Sequence, residues 1–316
     1  MYENNIKVSV CVLTYNHEKY IKEALDSILE QDVDFKYEIV IGDDCSTDRT
    51  KELILQYKKR YPNIIKPILR DENVGILRNF NEVLQKCSGM YIAHLDGDDR
   101  MLPLKLQKQV KFLDENPGFA LCCHNVRVFD SETNQTLYFF NEKFKLDVGT
   151  IDDLVKHGTY FAHCSKMFRR SAVGEGLNPN NHFIIDWLFH IENARHGKIG
   201  YIDDVLGEYR KHSYGITSFK KEKKKLVFNE QIYTLNVARK YVSDETVKQG
   251  FAKLYYSQAW YYLNNNMYDD FRDAIKKSID LGSIRGYQHL ILYYFRNVPR
   301  LLFAIRRLKK FVSMYK

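Results

Sequence analysis

Three carboxylates stand within four residues in the segment Asp96-Gly97-Asp98-Asp99, which follows an apolar run at residues 91–95. Three negative charges in one turn repel one another, and this repulsion is unfavourable unless a bound cation neutralises them. Carboxylate oxygens suit Mg²⁺ or Mn²⁺, which complete their coordination with the phosphate oxygens of a substrate. The segment therefore predicts a divalent-metal site for a phosphorylated ligand, with a solvated Asp-rich turn as the alternative.

Further polar segments follow apolar runs earlier in the chain, namely Thr14-Tyr15-Asn16, Asp43-Asp44-Cys45-Ser46 and residues 73–79. Neither a Walker loop nor a G-x-G-x-x-G motif follows the first run, so the chain lacks the phosphate cradle of P-loop NTPases and of dinucleotide-binding enzymes. A metal ion at residues 96–99 would have to neutralise the phosphates instead.

Apolar runs alternate with segments of helical periodicity, and this alternation positions the polar segments. Strands are predicted at 8–13, 37–41, 64–69 and 90–95, and helices at 20–29, 48–60, 76–86 and 102–114. Such alternation indicates right-handed βαβ units and a mainly parallel sheet with helices on both faces. The polar segments then meet outside the carboxyl ends of the strands, where such sheets bind ligands. Farther along, we predict a hairpin at 119–129 and 136–140, a strand ending near 166–170, a helix at 184–196 and a strand at 198–209.

The chain divides by composition into a catalytic domain at 1–216 and a helical, basic appendage at 217–316. Residues 217–316 hold 20 Lys and Arg against 8 Asp and Glu, so the net charge of +8 divides into −4 for the first part and +12 for the second. Aromatic and small residues at helical spacing between 255 and 279 predict one tetratricopeptide-like helical hairpin. A last amphipathic helix would either contact an anionic membrane or dock on the protein, with its apolar stripe and basic residues supplied by Leu301, Ile305, Leu308, Val312, Arg306, Arg307, Lys309 and Lys310.

Length and composition limit the class of protein. A chain of 316 residues that is 45% hydrophobic can bury a sizeable core. The six cysteines lack the paired spacing of a zinc site, so we expect reduced core thiols. Because no signal-peptide pattern and no apolar run of ~20 residues occurs, we expect a cytoplasmic protein, peripheral at most at the inner face of the membrane. Nucleic acid is not an expected partner, since the basic surface lies on the tail rather than on the predicted α/β domain.

In their order along the chain, these motifs resemble those of inverting family 2 glycosyltransferases, whose domain has the GT-A fold. The resemblance covers about residues 6–215 and rests on Val8-Ser9-Val10, Thr14-Tyr15-Asn16, 43–48, 73–81, 95–99, Asp186-Trp187 and 209–212. It implies a Rossmann-like α/β domain followed by the helical appendage. The Gln-x-x-Arg-Trp signature of processive polysaccharide synthases is absent, which favours transfer of a single sugar.

By position, the resemblance implies that the base and ribose of a nucleotide are held by Thr14, Tyr15, Asn16, Asp44 and Arg78, with Asp96 beside them and Asp98 as a metal ligand. Residues of these types suit a nucleoside, because its base offers hydrogen-bonding edges and a face for stacking, and its ribose hydroxyls suit a carboxylate. The alternatives are core packing for Tyr15 and a helix-surface charge for Arg78.

Displacement of a nucleoside diphosphate from a sugar requires a base for the attacking hydroxyl, and one carboxylate within hydrogen-bond reach suffices. We predict Asp186 as this base, since it is an isolated acid at an apolar helix start where burial would raise its pKa. The alternative is an N-cap aspartate. The family often has Glu before this Asp, whereas this chain has Ile185. Arg210 and His212 are predicted to reach the diphosphate or complete the metal shell, with a structural histidine as the alternative.

The sequence thus predicts a metal-dependent inverting glycosyltransferase that uses Mn²⁺ or Mg²⁺ and a nucleotide-sugar donor, a UDP-sugar. The expected acceptor is a glycan or lipid-linked oligosaccharide of bacterial cell-surface polysaccharide biosynthesis, by analogy with the family's relatives. Two alternatives stay open. One is a nucleotidyltransferase, which would release pyrophosphate, and the other is a catalytically inert nucleotide-binding or scaffold protein whose tail recruits partners or membrane.

Overall fold

The protein is described by a computed structural model that covers residues 6–173, 186–213, 221–284 and 286–300. The chain forms two compact units. The first comprises Met1–Leu154 and Thr159–Glu230, and the second comprises Val155–Gly158 and Gln231–Lys316. The first unit carries the sheet and all the predicted site residues.

Ten strands and ten helices occur within the described residues. The strands are β1 Val8–Thr14, β2 Tyr37–Asp43, β3 Ile65–Leu69, β4 Tyr91–Asp96, β5 Arg100–Met101, β6 Phe119–Asp130, β7 Thr136–Phe139, β8 Val148–Gly149, β9 Met167–Arg169 and β10 Lys198–Lys211. The helices are α1 Ile21–Leu29, α2 Thr50–Arg60, α3 Ile76–Lys86, α4 Lys105–Glu115, α5 Ile151–His157, α6 Asp186–Ala194, α7 Lys221–Ala238, α8 Asp244–Asn264, α9 Tyr268–Asp280 and α10 Tyr287–Tyr294. Two 3-10 turns lie at His163–Ser165 and Arg170–Ala172.

The strands of the described residues form one sheet in the order β3-β2-β1-β4-β9-β6-β10-β5, with β7 paired to β6 and β8 to β10. Strands β1 to β4 run parallel, as the βα alternation predicts, and β6 runs parallel to β10. The predicted hairpin is also confirmed, because β6 and β7 pair antiparallel. Strand β9 lies antiparallel between β4 and β6 and joins the two parallel parts of the sheet.

The central strands are buried on both faces, which explains why they read as continuous apolar runs rather than as alternating ones. All seven residues of β1 are buried. Helices α1, α2 and α4 contribute Leu25, Ile54 and Leu106 to the core that covers this part of the sheet. All six cysteines are free and five of them are buried, as predicted for core thiols.

The register of the parallel strands aligns their carboxyl ends. Thr14 at the end of β1 pairs with Asp43 at the end of β2, and Leu13 pairs with Asp96 at the end of β4. Polar segments that are up to 82 residues apart in the chain therefore begin at one edge of the sheet. This edge is the candidate site.

The second unit is helical. Helices α8 and α9 pack against each other around Ala259, Leu263, Phe271 and Ile275, which confirms the predicted helical hairpin. In the described part of the chain, no helix is both long and apolar enough to cross a membrane. The predicted amphipathic helix at residues 301–316 lies outside the described residues.

Candidate functional site

Asp44 is a buried carboxylate that anchors the loop before α3. Its Oδ1 accepts the amide of Val74 at 2.8 Å, and its Oδ2 accepts the amide of Gly75 at 3.0 Å. The φ of Gly75 is +84°, a backbone conformation that favours glycine. Arg70 lies 3.9 Å from Oδ1. Asp44 thus fixes residues 73–75 beside the end of β2.

The residues after β1 are tied to the loop after β2. The amide of Asn16 donates to Ser46 Oγ at 2.9 Å, and its side-chain oxygen accepts the amide of Thr47 at 2.8 Å. Thr14 is buried, and its hydroxyl has no hydrogen-bond partner among the described residues. Tyr15 is 44% exposed, which does not fit the core-packing alternative. Its ring is accessible at the mouth of the site.

Arg78 lies in the first turn of α3, directly after the loop that Asp44 anchors. Its side chain is 61% exposed, and its Nε lies 3.3 Å from Glu82 Oε1. The structure therefore places Arg78 on the helix surface, close in sequence to the glycine that starts the helix. An exposed pair of this kind contributes little to stability.

The turn after β4 packs closely on the end of β1 at Gly97. A Cβ atom on Gly97 would lie 2.7 Å from Thr14 Oγ1 and 2.9 Å from His17 Nδ1, closer than side-chain carbons approach such atoms. Gly97 therefore allows the carboxylates on either side of it to sit against β1. Asp96 is partly exposed and makes a 3.1 Å contact with Nε2 of the buried His94.

Asp99 is buried beneath this turn, and its Oδ1 accepts the amide of Arg210 at 2.9 Å. Burial raises the pKa of Asp99 well above its usual range, and the nearby Asp98 and Asp96 raise it further. The three carboxylates of the turn therefore have different surroundings. Asp99 serves to hold the turn against β10.

Asp98 lies between two histidines. Its Oδ2 is 2.9 Å from His212 Nε2 and 3.9 Å from His17 Nε2. Burial alone would raise the pKa of Asp98, but the hydrogen bond from His212 and the attraction of both histidines lower it overall. Nδ1 of His17 and Nδ1 of His212 are buried without a hydrogen-bond partner among the described residues. Asp98 is thus a carboxylate with a lowered pKa in a polar pocket.

Arg210 is buried and has protein partners on two sides. Its Nε donates to the carbonyl of Asp98 at 2.7 Å, and its Nη2 donates to Glu23 Oε2 at 2.7 Å. The guanidinium also lies over the ring of Tyr20, 4.8 Å from its centroid, and Tyr20 in turn contacts His212. Arg210 therefore supports the main chain of the turn after β4 and contacts the tyrosine that packs on His212.

Asp186 stands at the first residue of α6. Its Oδ1 lies 3.3 Å from His163 Nδ1, and its side chain is 47% exposed. Burial by surrounding protein atoms raises the pKa of Asp186 to about 6, while the charge of Lys166 opposes the rise and Asp96 adds to it. The carboxylate is accessible, ionised at neutral pH and able to accept a proton.

Sequence reasoning missed a buried basic cluster between Asp96 and Asp186. Lys166 Nζ lies 2.9 Å from His163 Nδ1 and 3.2 Å from His190 Nε2. The ring centroid of His94 is 4.0 Å from that of His163. The one available signal was Lys166 itself, a lysine at the start of an apolar strand. The histidines come from three distant segments, and no local pattern joins them.

The predicted residues thus gather along one edge of the sheet in two groups. Thr14, Tyr15, Asn16, Asp44 and Arg78 lie on or near the ends of β1 and β2, and Asp96, Asp98, Arg210 and His212 lie around the turn after β4. The basic cluster connects this turn to Asp186. Among the described residues, no three His, Cys, Asp or Glu side chains form a complete metal cage. Asp98 and His212 could supply two ligands, which fits a hard cation that takes its remaining ligands from phosphate and water.

Comparisons with known proteins agree with this geometry. Residues 9–177 match the family described as "Glycosyl transferase family 2". An uncharacterized protein of Mycobacterium tuberculosis is 37% identical over 210 residues, covering 66% of this chain and 60% of that protein. The matched region thus spans well under two thirds of that relative. The putative teichuronic acid biosynthesis glycosyltransferase TuaG of Bacillus subtilis is 30% identical over 215 residues, covering 67% of this chain and 82% of TuaG.

Solved structures confirm the predicted fold class. TarS of S. aureus superposes with a TM-score of 0.67 at 18% identity, covering 93% of this chain and 88% of that one. The mannosyltransferase PcManGT of Pyrobaculum calidifontis, solved with GDP-Man and Mn²⁺, has a TM-score of 0.59 at 16% identity and covers 97% of this chain and 88% of that one. At these identities the likeness establishes the GT-A fold. With more than half of its length matched by the family pattern, the chain belongs to glycosyl transferase family 2.

Proposed function

We propose that this protein transfers one sugar, with inversion, from a nucleotide-sugar to a hydroxyl of a glycan or lipid-linked oligosaccharide in bacterial cell-surface polysaccharide biosynthesis. The observation that carries the proposal is the pairing of two unlike carboxylates in one site. Asp98 has a lowered pKa beside His212, and Asp186 has a pKa near 6 and an exposed face. Such a pair suits leaving-group stabilisation and base catalysis, respectively.

The donor would occupy the edge formed by the ends of β1 and β2. Tyr15 offers an exposed ring for stacking a base, and Asn16 and Asp44 fix the loops on either side of it. Thr14 carries a buried hydroxyl without a partner, which a nucleotide could satisfy. Arg78 and Asp96 complete the proposed binding surface. A UDP-sugar is the proposed donor, supported by a TarS structure solved with UDP-GlcNAc that shares this fold.

The diphosphate would lie at the turn after β4. Asp98 and His212 are proposed as ligands of Mn²⁺ or Mg²⁺, which when bound would neutralise the negative charge that develops on the departing diphosphate. The two orphaned imidazole nitrogens in this pocket support a polar ligand there. Arg210 keeps the turn in place through the Asp98 carbonyl, and its proposed contact with the diphosphate stays a prediction.

Asp186 is proposed as the general base. It would accept the proton of the acceptor hydroxyl while the hydroxyl oxygen attacks the anomeric carbon from the face opposite the leaving diphosphate. Its pKa of about 6 leaves it ionised at pH 7 to 8 and basic enough to share a proton. Direct attack of this kind inverts the anomeric centre.

Release of nucleoside diphosphate tests the proposal. The full chain is incubated with a panel of UDP- and GDP-sugars, a lipid-linked oligosaccharide extract as acceptor, and Mn²⁺ or Mg²⁺. We expect release of UDP that Asp98→Ala lowers by at least about 10²-fold, since the variant loses a ligand that stabilises the leaving charge. The exposed Asp34 supplies the control variant Asp34→Ala, which should keep wild-type turnover.

Two outcomes would contradict the proposal. Pyrophosphate as product would identify a nucleotidyltransferase. Tight nucleotide binding without turnover on any donor would identify an inert binding protein. In that case Asp186→Asn would also leave the background release of nucleoside diphosphate unchanged. Calorimetric titration of UDP with and without Mn²⁺ separates loss of binding from loss of chemistry.

A further inference from the structure

A buried lysine and a histidine connect to the proposed base. His163 Nδ1 lies 3.3 Å from Asp186 Oδ1 and 2.9 Å from Lys166 Nζ. Lys166 also contacts His190 Nε2 at 3.2 Å, and its ammonium lies over the ring of Phe189, 4.4 Å from the centroid. Lys166 Nζ also lies 3.3 Å from His163 Nε2, so Asp186 and Lys166 both contact the one imidazole ring of His163.

Burial of the Lys166 ammonium costs desolvation free energy, so its place in the interior needs an explanation. The side chain is completely buried, and among the described residues no carboxylate lies within 4.0 Å of its Nζ to form a direct ion pair. A desolvated ammonium without a carboxylate partner destabilises the fold relative to an apolar side chain of similar size. A purely structural role would be served better by Met or Leu among these aromatic rings. The position therefore points to a use of the charge itself.

The charges of Lys166 and Asp186 act on each other. Burial lowers the pKa of Lys166 to about 7, and Asp186 opposes that fall. In return, Lys166 opposes the rise that burial imposes on the pKa of Asp186. The imidazole of His163 lies between the two groups, and burial lowers its pKa well below the usual value, so it is neutral at pH 7. In the tautomer with its proton on Nδ1, the neutral imidazole donates to Asp186 Oδ1 from Nδ1 and accepts from the Lys166 ammonium at Nε2, which lies 3.3 Å from Nζ.

The remaining titratable groups around Lys166 come from four neighbouring elements. Strand β1 supplies Cys11, β4 supplies His94 and Asp96, the 3-10 turn supplies Cys164, and α6 supplies His190. Burial lowers the pKa of His94 and His190 and raises the pKa of Cys11 and Cys164. Burial therefore favours the uncharged form of all four groups. Asp96 is the other carboxylate that acts on Lys166.

We propose that Lys166, acting through His163, is a positioning residue for Asp186: its buried charge keeps the carboxylate ionised and holds it in place to receive the proton of the acceptor. The inference rests on the proposed role of Asp186 as the base. Lys166 does not touch the substrate, and its amine stays in the protein interior throughout the reaction.

The test is the pH profile of kcat/KM for the acceptor in the full chain with Mn²⁺ and the active donor. In Lys166→Met the acid limb should move up by about one pH unit, because loss of the cation raises the pKa of Asp186. Above pH 8 the variant should recover most of its activity. His163→Gln, which removes the imidazole that lies between Lys166 and Asp186, should shift the limb in the same direction.

The chain offers a matched control in Lys105. This second lysine is equally buried, and its Nζ contacts Gln109 Oε1 at 3.0 Å, His124 Nε2 at 3.1 Å and the carbonyl of Cys164 at 3.1 Å. Lys105→Met removes a buried charge away from Asp186, so its acid limb should coincide with that of the wild type, whatever it does to stability. Affinity for UDP, measured by calorimetry, checks that each variant is folded.

The outcomes separate this inference from the proposed function. Active Lys166→Met and His163→Gln variants with wild-type acid limbs would overturn the inference and leave the proposed function standing. An equal upward shift in Lys105→Met would also overturn it, because the effect would then be general to buried charge. A wild-type enzyme that transfers no sugar from any donor would instead overturn the proposed function and the inference with it.

Discussion

The carboxylates in this site differ in pKa and in exposure because their immediate surroundings differ. Asp98 has a lowered pKa because histidines face it, whereas burial raises the pKa of Asp99 and Asp186. Asp99 uses one oxygen to hold the amide of Arg210, and Asp186 keeps nearly half of its side chain exposed. The same residue type therefore has the properties that the proposed roles of metal ligand, turn support and base require.

The proposed role of Asp186 as the base predicts the effect of exchanging one oxygen of its side chain for nitrogen. Asp186→Asn keeps the size of the side chain but removes its basicity, so kcat should fall by about 10²–10⁴-fold while the Kd for UDP stays unchanged. In the wild type, activity should be lost as the pH falls through about 6, because Asp186 must be ionised to accept a proton. Steady-state kinetics and calorimetry measure both quantities. Wild-type kcat in the variant would show that another group is the base.

Short elements at the carboxyl end of the sheet set the geometry of the site. Gly97 allows the turn after β4 to pack on Thr14 and His17, and the positive φ of Gly75 allows its amide to reach Asp44. In both cases a strand end is brought close to a neighbouring loop by a residue without a side chain. The precision of the site thus depends on turns as much as on the carboxylates.

Gly97→Ala tests this dependence. The added methyl group would overlap Thr14 Oγ1, so the turn or β1 must shift, and the free energy of unfolding should fall by about 1–3 kcal/mol. Metal-dependent affinity for the donor should weaken as Asp98 moves with the turn. Gly118→Ala is the matched control, because no atom lies within 4 Å of its added carbon. Thermal unfolding and calorimetry measure the two effects, and equal behaviour of both variants would contradict the close packing described.

The elements also show what a sequence can and cannot predict. Strands β1 to β4 were predictable because each is a buried apolar run followed by polar residues, and so was the gathering of Asp44, Asp96 and Asp98. The antiparallel insertion of β9 between β4 and β6 was not, since three residues, Met167–Arg169, carry no signal of direction or partner. The contact of Lys166 with His163 and His190 likewise depends on tertiary packing, which no local spacing encodes.

At the scale of the whole molecule, charge is divided between the two parts of the chain. Residues 217–316 carry a net +12 and the preceding residues −4. A basic segment of this kind is attracted to the anionic inner face of a membrane, and the attraction falls with ionic strength. Peripheral contact would place the enzyme near a lipid-linked acceptor, and it stays a prediction from the sequence.

Removing the basic charges of residues 306–310 tests membrane contact directly. The combined substitution of Arg306, Arg307, Lys309 and Lys310 by Ala in the full chain should weaken binding to phosphatidylserine vesicles by up to about 10³-fold, at ~1 kcal/mol for each basic residue near the surface. A control with the same change of charge replaces the exposed residues Lys59, Lys111, Lys143 and Lys198 of the first unit. It should bind vesicles nearly as the wild type does, because these side chains lie outside the basic tail. Cosedimentation at low and high salt measures both variants, and equal losses would show that net charge rather than the basic residues at 306–310 attracts the protein to lipid.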